Sequence, residues 1–338
     1  MSATFNVPLT TTYQFMYLNI LEMLPSINPS MPMAHTRCRM RSGTGSVTAR
    51  VQTNVGQTSM TPVVGTQVTN ANTDIALSNR WVTPQQYYTR STLSNVQAAF
   101  TQTWPVGQYV MAQINAALKV QENLFFQGLS GVATVGGNTS PSGTTPVAFP
   151  IQNVVGVDGT LYNPDGSVRV AGTGVAQPFN SGSIRKMKML AQKNYEAFSL
   201  GSMQPWIAIG PEANLQLGSE IQLINSLYAN QQTGNRAALG QGYADGFLGV
   251  NILMSNELPT AYSLNPILDP TNIGYSVALV WFDAGMCRGI WAPPTPRVHM
   301  DTNPVYELTY IDLTLNEGYS RVMEEMAYAI VYDPRILN

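Results

Sequence analysis

Charge is what this chain has least of. Asp, Glu, Lys and Arg make up 11% of its 338 residues, where soluble domains carry about 25%. Thr, Ser, Asn and Gln fill the gap. A freely soluble monomer normally covers itself with Lys and Glu, and this chain does not have them. Charge depletion with neutral polar replacement is the composition of the core of a stable protein–protein interface. It fits equally a β-rich extracellular protein with a Thr/Asn surface. Lysine is rarest, at Lys119, Lys186, Lys188 and Lys193 alone, in a chain of formal net charge −2. No basic tail or stripe stands out to neutralise phosphates, which argues against direct nucleic-acid readout.

Other absences narrow the chemistry. Two cysteines, Cys38 and Cys287, do not make a disulfide framework. No run of about 18 apolar residues exists to cross a membrane as a helix. The first residues lack the basic start of a secretory signal, so the chain is expected to begin life in the cytoplasm. The Asn138-Thr-Ser triplet would accept a glycan only in a secreted protein. No CxxC, HExxH or Gly-Lys-Ser/Thr phosphate loop occurs, and "AGTGVA" (171–176) and "GQGYADG" (240–246) resemble dinucleotide loops only by glycine count.

With two histidines, His35 and His299, any Ser-His-Asp or Cys-His arrangement must use one of them. His35 and Cys38 stand three apart in an expected strand, which points them to opposite faces and argues against a shared metal or nucleophile site. His299, between Val298 and Met300 after a proline run, fits a structural hydrogen bond. Glu324 and Glu325 are adjacent and point apart in a strand, as a solvated or inter-subunit ion pair. In "HTRCRMR" the alternation puts Arg37, Arg39 and Arg41 on one strand face. A substrate clamp is one reading of that face; inter-subunit salt bridges suit so charge-poor a chain better. Arg50 joins them as an inter-subunit candidate. No catalytic, cofactor or metal residue is expected.

What the chain does have is organised in blocks. Residues 1–34 read as an arm with a short helical run at 15–24, ordered by whatever it lies against. Residues 35–82 are Thr/Val/Gly-rich with β alternation; up to residue 80 they hold one acid, Asp74, and no lysine. They read as a long hairpin, with legs reaching about 50–65 Å. So long a two-stranded ribbon needs a surface to lie on, from another domain or another copy of the chain. After Pro105, apolar residues at Val110, Met111, Ile114, Ala117, Leu118, Leu124 and Phe125 give helical spacing over 105–128, about 36 Å. Gly128 is the expected stop. "ENLFFQG" (122–128) nearly matches a tag-removal protease site, but it continues the helical period and reads as coincidence.

Residues 130–181 are too long for a structureless loop and read as a small β insertion. Within it, Asn-Pro-Asp-Gly makes "VDGTLYNPDGSVRV" a hairpin. Ser183 is the expected cap of a helix burying Ile184, Met187, Ala191 and Phe198. "WIAIG" is a short buried strand, and Pro211 opens a helix with Leu217, Ile221, Ile224 and Tyr228 inward. A glycine-rich turn precedes the strand in "GFLGVNILMSNELP". "GYSVALVWF" is another buried strand, while "IWAPPTPRVHM" reads as a break in regular structure. In "YIDLTLNEG", Ile311, Leu313 and Leu315 alternate with Asp312 and Thr314, and "AYAIVYDP" is the last strand.

This order of elements resembles the major capsid proteins of tailed bacteriophages, with the HK97-like fold. The most specific stretch is Gly246-Phe247, Val250 and Ser255-Asn256-Glu257-Leu258-Pro259, which is similar to a G-F-x-V-x-x-S-N-x-L-P pattern of that family. It departs by one extra residue in Leu248-Gly249. "WIAIGPEANLQL" is similar to the family's strand-Pro-helix step, and residues 130–181 have no counterpart.

The resemblance implies an α+β fold with an N-terminal arm (1–34), an extended loop (35–82) lying across a neighbour, and a peripheral domain (83–129) with a spine helix. It further implies an axial domain (182–304) and C-terminal strands (305–338) returning to the peripheral domain. Gly234, Asn235, Arg236, Gly240 and Gly242 would form an axial loop at the capsomer centre, with Glu324 and Glu325 among the inter-subunit contacts. Its partners would be further copies in hexamers and pentamers, with scaffolding, cement and portal proteins, and double-stranded DNA touched non-specifically; no membrane is implied. The place would be the virion, assembled in the host cytoplasm. Members that weld neighbours covalently use a lysine on the extended loop, and residues 35–80 have none, which implies a shell held by non-covalent burial. The competing reading is a β-rich virion surface or adhesin-type binding protein. An enzyme using His299 or the two glutamates ranks below both.

Overall fold

A computed structural model describes residues 33–42, 49–55, 77–83, 85–94, 106–131, 147–195, 205–220, 243–300 and 308–336. The helical run at 15–24, the middle of the expected hairpin, Ile221 to Tyr228 and the proposed axial residues Gly234, Asn235, Arg236, Gly240 and Gly242 lie outside them.

The chain enters through a 3-10 turn at Ala34–Thr36, followed by β1 (Arg39–Ser42), β2 (Ala49–Val55), β3 (Leu77–Val82) and β4 (Gln85–Ser94). β2 and β3 pair antiparallel from Ala49↔Val82 to Val55↔Leu77, the expected hairpin legs. β1 does not join them. It pairs in parallel with Cys287–Ile290 further along the chain. The early turn also breaks the expected alternation of arginines. Arg37 falls before β1 and its guanidinium stacks 4.5 Å from the Trp206 ring, while Arg39 and Arg41 lie in the strand.

Helix α1 runs Val106–Ser130 and overshoots the expected stop. Gly128 lies inside it because the backbone of Tyr319 comes so close that a Cβ would sit 2.8 Å from its carbonyl oxygen. The terminator is Gly131, at φ +71°, a left-handed backbone that favours glycine. The "ENLFFQG" stretch is helical core: Leu124, Phe125 and Phe126 are all buried, and Phe125 meets Trp281 and Tyr319 edge-to-face.

Next come β5 (Val154–Val155), β6 (Leu161–Tyr162), β7 (Val168–Val170), α2 (Ser181–Tyr195), β8 (Trp206–Ile209), α3 (Pro211–Ser219), β9 (Tyr243–Phe247), β10 (Val250–Met254) and β11 (Ser276–Trp281). β12 (Met286–Met300), β13 (Leu308–Arg321) and β14 (Ala327–Tyr332) complete the order. α2 starts two residues before the expected cap. Asn180 holds it, its side-chain oxygen accepting from the Ser183 backbone N–H at 2.8 Å, the bond that an N-cap makes to N3.

The main sheet has eight strands in the order β7-β6-β5-β14-β11-β8-β10-β9. Its central strands are buried on both faces, which explains their unbroken apolar runs. Trp206, Ala208, Val277, Leu279, Trp281, Ala327, Ala329 and Val331 point towards α1. Ile207, Ile209, Ala278, Val280, Tyr328, Ile330 and Tyr332 point towards α2 and α3. The alanines on the α1 side leave room for Phe125, Phe126 and Trp281. The 147–181 stretch is thus not a separate module: β5 pairs in parallel with β14, and β6 and β7 extend the sheet through the expected Asn163–Gly166 turn.

The second sheet is β1-β12-β13-β4. "IWAPPTPRVHM", expected to be irregular, lies within the 15-residue β12. Its prolines are tolerated because β1 pairs only as far as Ile290, and the ladder to β13 shifts register between Ile290, Ala292 and Thr295. Prolines belong at such edges and bulges. β13 has the expected alternation, with Ile311, Leu313 and Leu315 buried. At the end of the chain the two strands part: β13 joins this sheet, and β14 inserts between β5 and β11 of the main one. Glu324 and Glu325 sit in the 3-10 turn between the two strands rather than in a strand.

Candidate functional site

The 3-10 turn at Ala34–Thr36 replaces the expected strand at His35, and the contact His35 makes with Cys38 runs through the backbone rather than through the imidazole. The Cys38 thiol donates to the His35 carbonyl at 3.2 Å. Both are unsuited to chemistry. Burial, then the neighbouring Arg288 cation, holds His35 down at about 3, and its Nδ1 has no hydrogen-bond partner among the described residues. Burial pushes the Cys38 thiol up to about 12, far from the thiolate that a nucleophile needs. Among the described residues no cluster of His, Cys, Asp or Glu could hold a metal ion. For His299 the structure gives only the place in β12, opposite Tyr310.

The scarce charges are spent instead on joining elements. Glu317, fully buried on β13, accepts from Arg288 at 2.7 and 3.0 Å, from the Tyr319 hydroxyl at 3.0 Å and from Gln121 of α1 at 3.1 Å. Arg321 is buried completely. Its guanidinium donates to the carbonyl of Leu129 at the end of α1, to Ala148 at 2.9 Å and to the Glu324 carboxylate at 2.7 Å. It thereby caps helix carbonyls that have no intrahelical partner. The other Glu324 oxygen accepts from Arg80 at the root of the β2–β3 hairpin, at 3.0 Å. Of the two expected inter-subunit glutamates, Glu324 thus has partners within its own chain. The carbonyl of Glu325 accepts from the Tyr328 hydroxyl at 2.6 Å.

The hairpin root is fixed from beneath as well. Gly289 and Gly318 face each other across the β12–β13 ladder, and buried Val82 packs over both, 3.1 and 2.8 Å from where their Cβ atoms would be. The β2–β3 ribbon therefore leaves from a rigid anchor. Arg50 lies on it, opposite Trp81.

The Ser-Asn-Glu-Leu-Pro stretch is explained by α1. Glu122 reaches out of the helix to accept from the Ser255 hydroxyl at 2.9 Å and the Ala34 backbone N–H at 3.3 Å; burial raises its pKa. Lys119 pairs with Glu257 at 3.4 Å. Upstream, Leu248 and Gly249, the apparent insertion in the motif, are the two turn residues of the β9–β10 hairpin, at φ +50° and +75°. Two consecutive positive-φ residues make the turn whose twist suits a hairpin.

On the open face of the second sheet, Arg90 forms a bidentate pair with Asp312 at 2.7 and 2.9 Å. Its guanidinium lies 5.6 and 5.0 Å from the Tyr88 and Tyr310 rings. Tyr88 is 54% exposed. An arginine held between tyrosines on an accessible sheet face is the side-chain chemistry enriched in protein interfaces. Arg80, Arg90, Arg288, Arg321, Glu122 and Glu317 were not singled out from the sequence. The available signal was their rarity: in a chain this poor in charge, a charge inside an apolar run marks a paired, structural one.

Two sheets braced by a 25-residue helix and an anchored β2–β3 ribbon define a mixed α+β fold. Comparison with solved structures agrees. The chain is similar to the capsid of Ralstonia phage GP4 (TM-score 0.60, 9% identity, 89% of this chain and 88% of that one). It is similar to the capsid of cyanophage Pam1 (0.58, 13%, 87% and 86%) and to that of cyanophage P-SCSP1u (0.56, 15%, 88% and 86%). The fold is therefore that of phage capsid proteins over almost the whole chain. No protein-family model and no curated protein matches the sequence.

Proposed function

We propose that this chain is the major capsid protein of a tailed bacteriophage, a structural rather than enzymatic protein that assembles with copies of itself into an icosahedral shell. The observation that carries the reading is the extent of the likeness: nearly nine-tenths of this chain matches nearly nine-tenths of each capsid chain, with no large part left over to do something else. In this reading α1 is the spine helix of the HK97-like fold, β4 and β13 belong to the peripheral domain, and the 35–82 ribbon lies on a neighbouring subunit. The eight-stranded sheet belongs to the axial domain, with the glycine-rich 232–242 segment at the capsomer centre. Arg39, Arg41, Arg50 and Glu325 serve inter-subunit contacts, and the shell is held by non-covalent burial. Negative-stain microscopy of the expressed protein tests this directly. Closed particles or ring-shaped capsomers are expected; a well-behaved monomer under every assembly condition overturns it.

A further inference from the structure

Three of the chain's four lysines, Lys186, Lys188 and Lys193, lie with Arg185 on the single helix α2, Ser181–Tyr195, which contains no acid. The helix therefore carries +4. The rest of the chain holds 17 − 4 = 13 basic and 19 acidic residues, a net of −6. These four cations fall within nine consecutive residues, 185–193, and the helix decides which side they face.

The gathering follows from helix geometry. Ile184, Met187, Leu190 and Ala191 are buried against the main sheet, which leaves Arg185, Met189, Gln192 and Lys193 exposed. At 100° per residue Arg185, Met189 and Lys193 form one row, with Lys186 and Lys188 flanking it. Lys188 has a local task, donating to the Leu248 carbonyl at 2.7 Å. Arg185, Lys186 and Lys193 have no carboxylate within ion-pair distance among the described residues. Of the acids on neighbouring segments, Glu220 binds the Ser181 N–H and hydroxyl at the helix start, Asp158 accepts from the Thr160 and Gly174 N–H groups and Glu324 pairs with Arg321 and Arg80, while Glu325 sits with Glu324 in the 3-10 turn. On the same side of the sheet, α3 adds only Glu212.

We infer that the exposed face of α2 binds the phosphate backbone of duplex nucleic acid without reading its sequence, and so marks the side of the subunit that faces the packaged genome. The inference rests on the shell reading for its orientation, and on charge complementarity for its partner. From Arg185 to Lys193 the helix rises about 12 Å, a length of duplex that carries about seven phosphates. Two exposed cations in a row, with a third flanking them, suit that lattice of charge and contain nothing that would read a base edge.

The test is salt-dependent binding of the full chain to a 20-base-pair duplex, for wild type and for R185Q/K186Q/K193Q, with particle formation by both imaged separately. Arg185 and Lys193 lie on the exposed row and Lys186 is half-buried beside it, and none of the three belongs to the core. Three phosphate contacts weaken binding roughly 40-fold between 50 and 200 mM salt. Wild type is expected to show that dependence, and the variant only a few-fold change. Equal salt dependence in the two proteins, or no wild-type binding at 50 mM salt, overturns the inference. Displacement of the duplex by polyglutamate at equal charge also overturns it, in favour of an acidic protein partner. Shells formed by both proteins with unchanged DNA binding would sink this inference alone; absence of shells from both would sink the assembly reading instead.

Discussion

At the scale of single residues, the structure uses its few charges as internal rivets, and two substitutions read this out. Glu324→Ala strands the buried Arg321 guanidinium and releases Arg80, and removing one partner of a buried pair costs about 3–5 kcal/mol. Urea unfolding should therefore show a large loss for Glu324→Ala and one within about 0.5 kcal/mol for Glu325→Ala. Equal small losses would mean that Glu324 acts between subunits after all. His35 gives a pH signature. Its pKa is depressed from 6.5 to about 3 in the fold, so the unfolded chain takes up the proton first. Its contribution is intact above pH 6.5 and is lost as pH falls towards 3, by about 1.4 kcal/mol per unit. Urea midpoints between pH 7 and 4.5 should fall more steeply for wild type than for His35→Gln, whose side chain does not titrate. Parallel pH profiles would refute the linkage.

At the scale of elements, what could be foreseen from the sequence was whatever rests on period. The α1 spacing, the buried strands at 206–209 and 276–281 and the alternation in β13 are each set by neighbours a few residues away, and each is where the pattern put it. Misplaced features depend on distant partners. Gly128 looks like a stop until the Tyr319 backbone arrives beside it, and the prolines of β12 look disruptive until its free edge is known. Arg37 leaves its expected strand because Trp206 offers a ring to stack on. The motif stretch 246–259 was legible as something specific, though its reason, Ser255 seated on Glu122 of α1, lies more than 130 residues back. Gly128→Ala tests the close approach: helix propensity alone would make it stabilising, but the crowding at Tyr319 should cost about 1–3 kcal/mol, measured as a lower urea midpoint. A stabilised variant would show that the helix can retreat.

At the scale of the whole molecule, core and ribbon are structurally separate. The two sheets share α1 and the Arg321–Glu324 junction, while among the described residues β2 and β3 pair only with each other. Deleting residues 45–70 should therefore leave cooperative unfolding intact and abolish particle formation; assembly at wild-type yield would remove the ribbon from the assembly reading. Particles dissolved in denaturant should run as single monomers, since the 35–80 stretch offers no lysine for a covalent weld, and a ladder of cross-linked species would contradict this.

The path of the chain's last strands has a consequence in time. β14 lies in the middle of the eight-stranded sheet, between β5 and β11, and β13 lies between β12 and β4 in the other. Both sheets stay open along an interior seam until residues 308–332 have been made. A nascent chain on the ribosome thus cannot finish either core, however much of its ribbon has already emerged. On the assembly reading proposed above, subunits would become competent to join a shell only after synthesis has passed this point, and products of premature termination would lack the means to poison it.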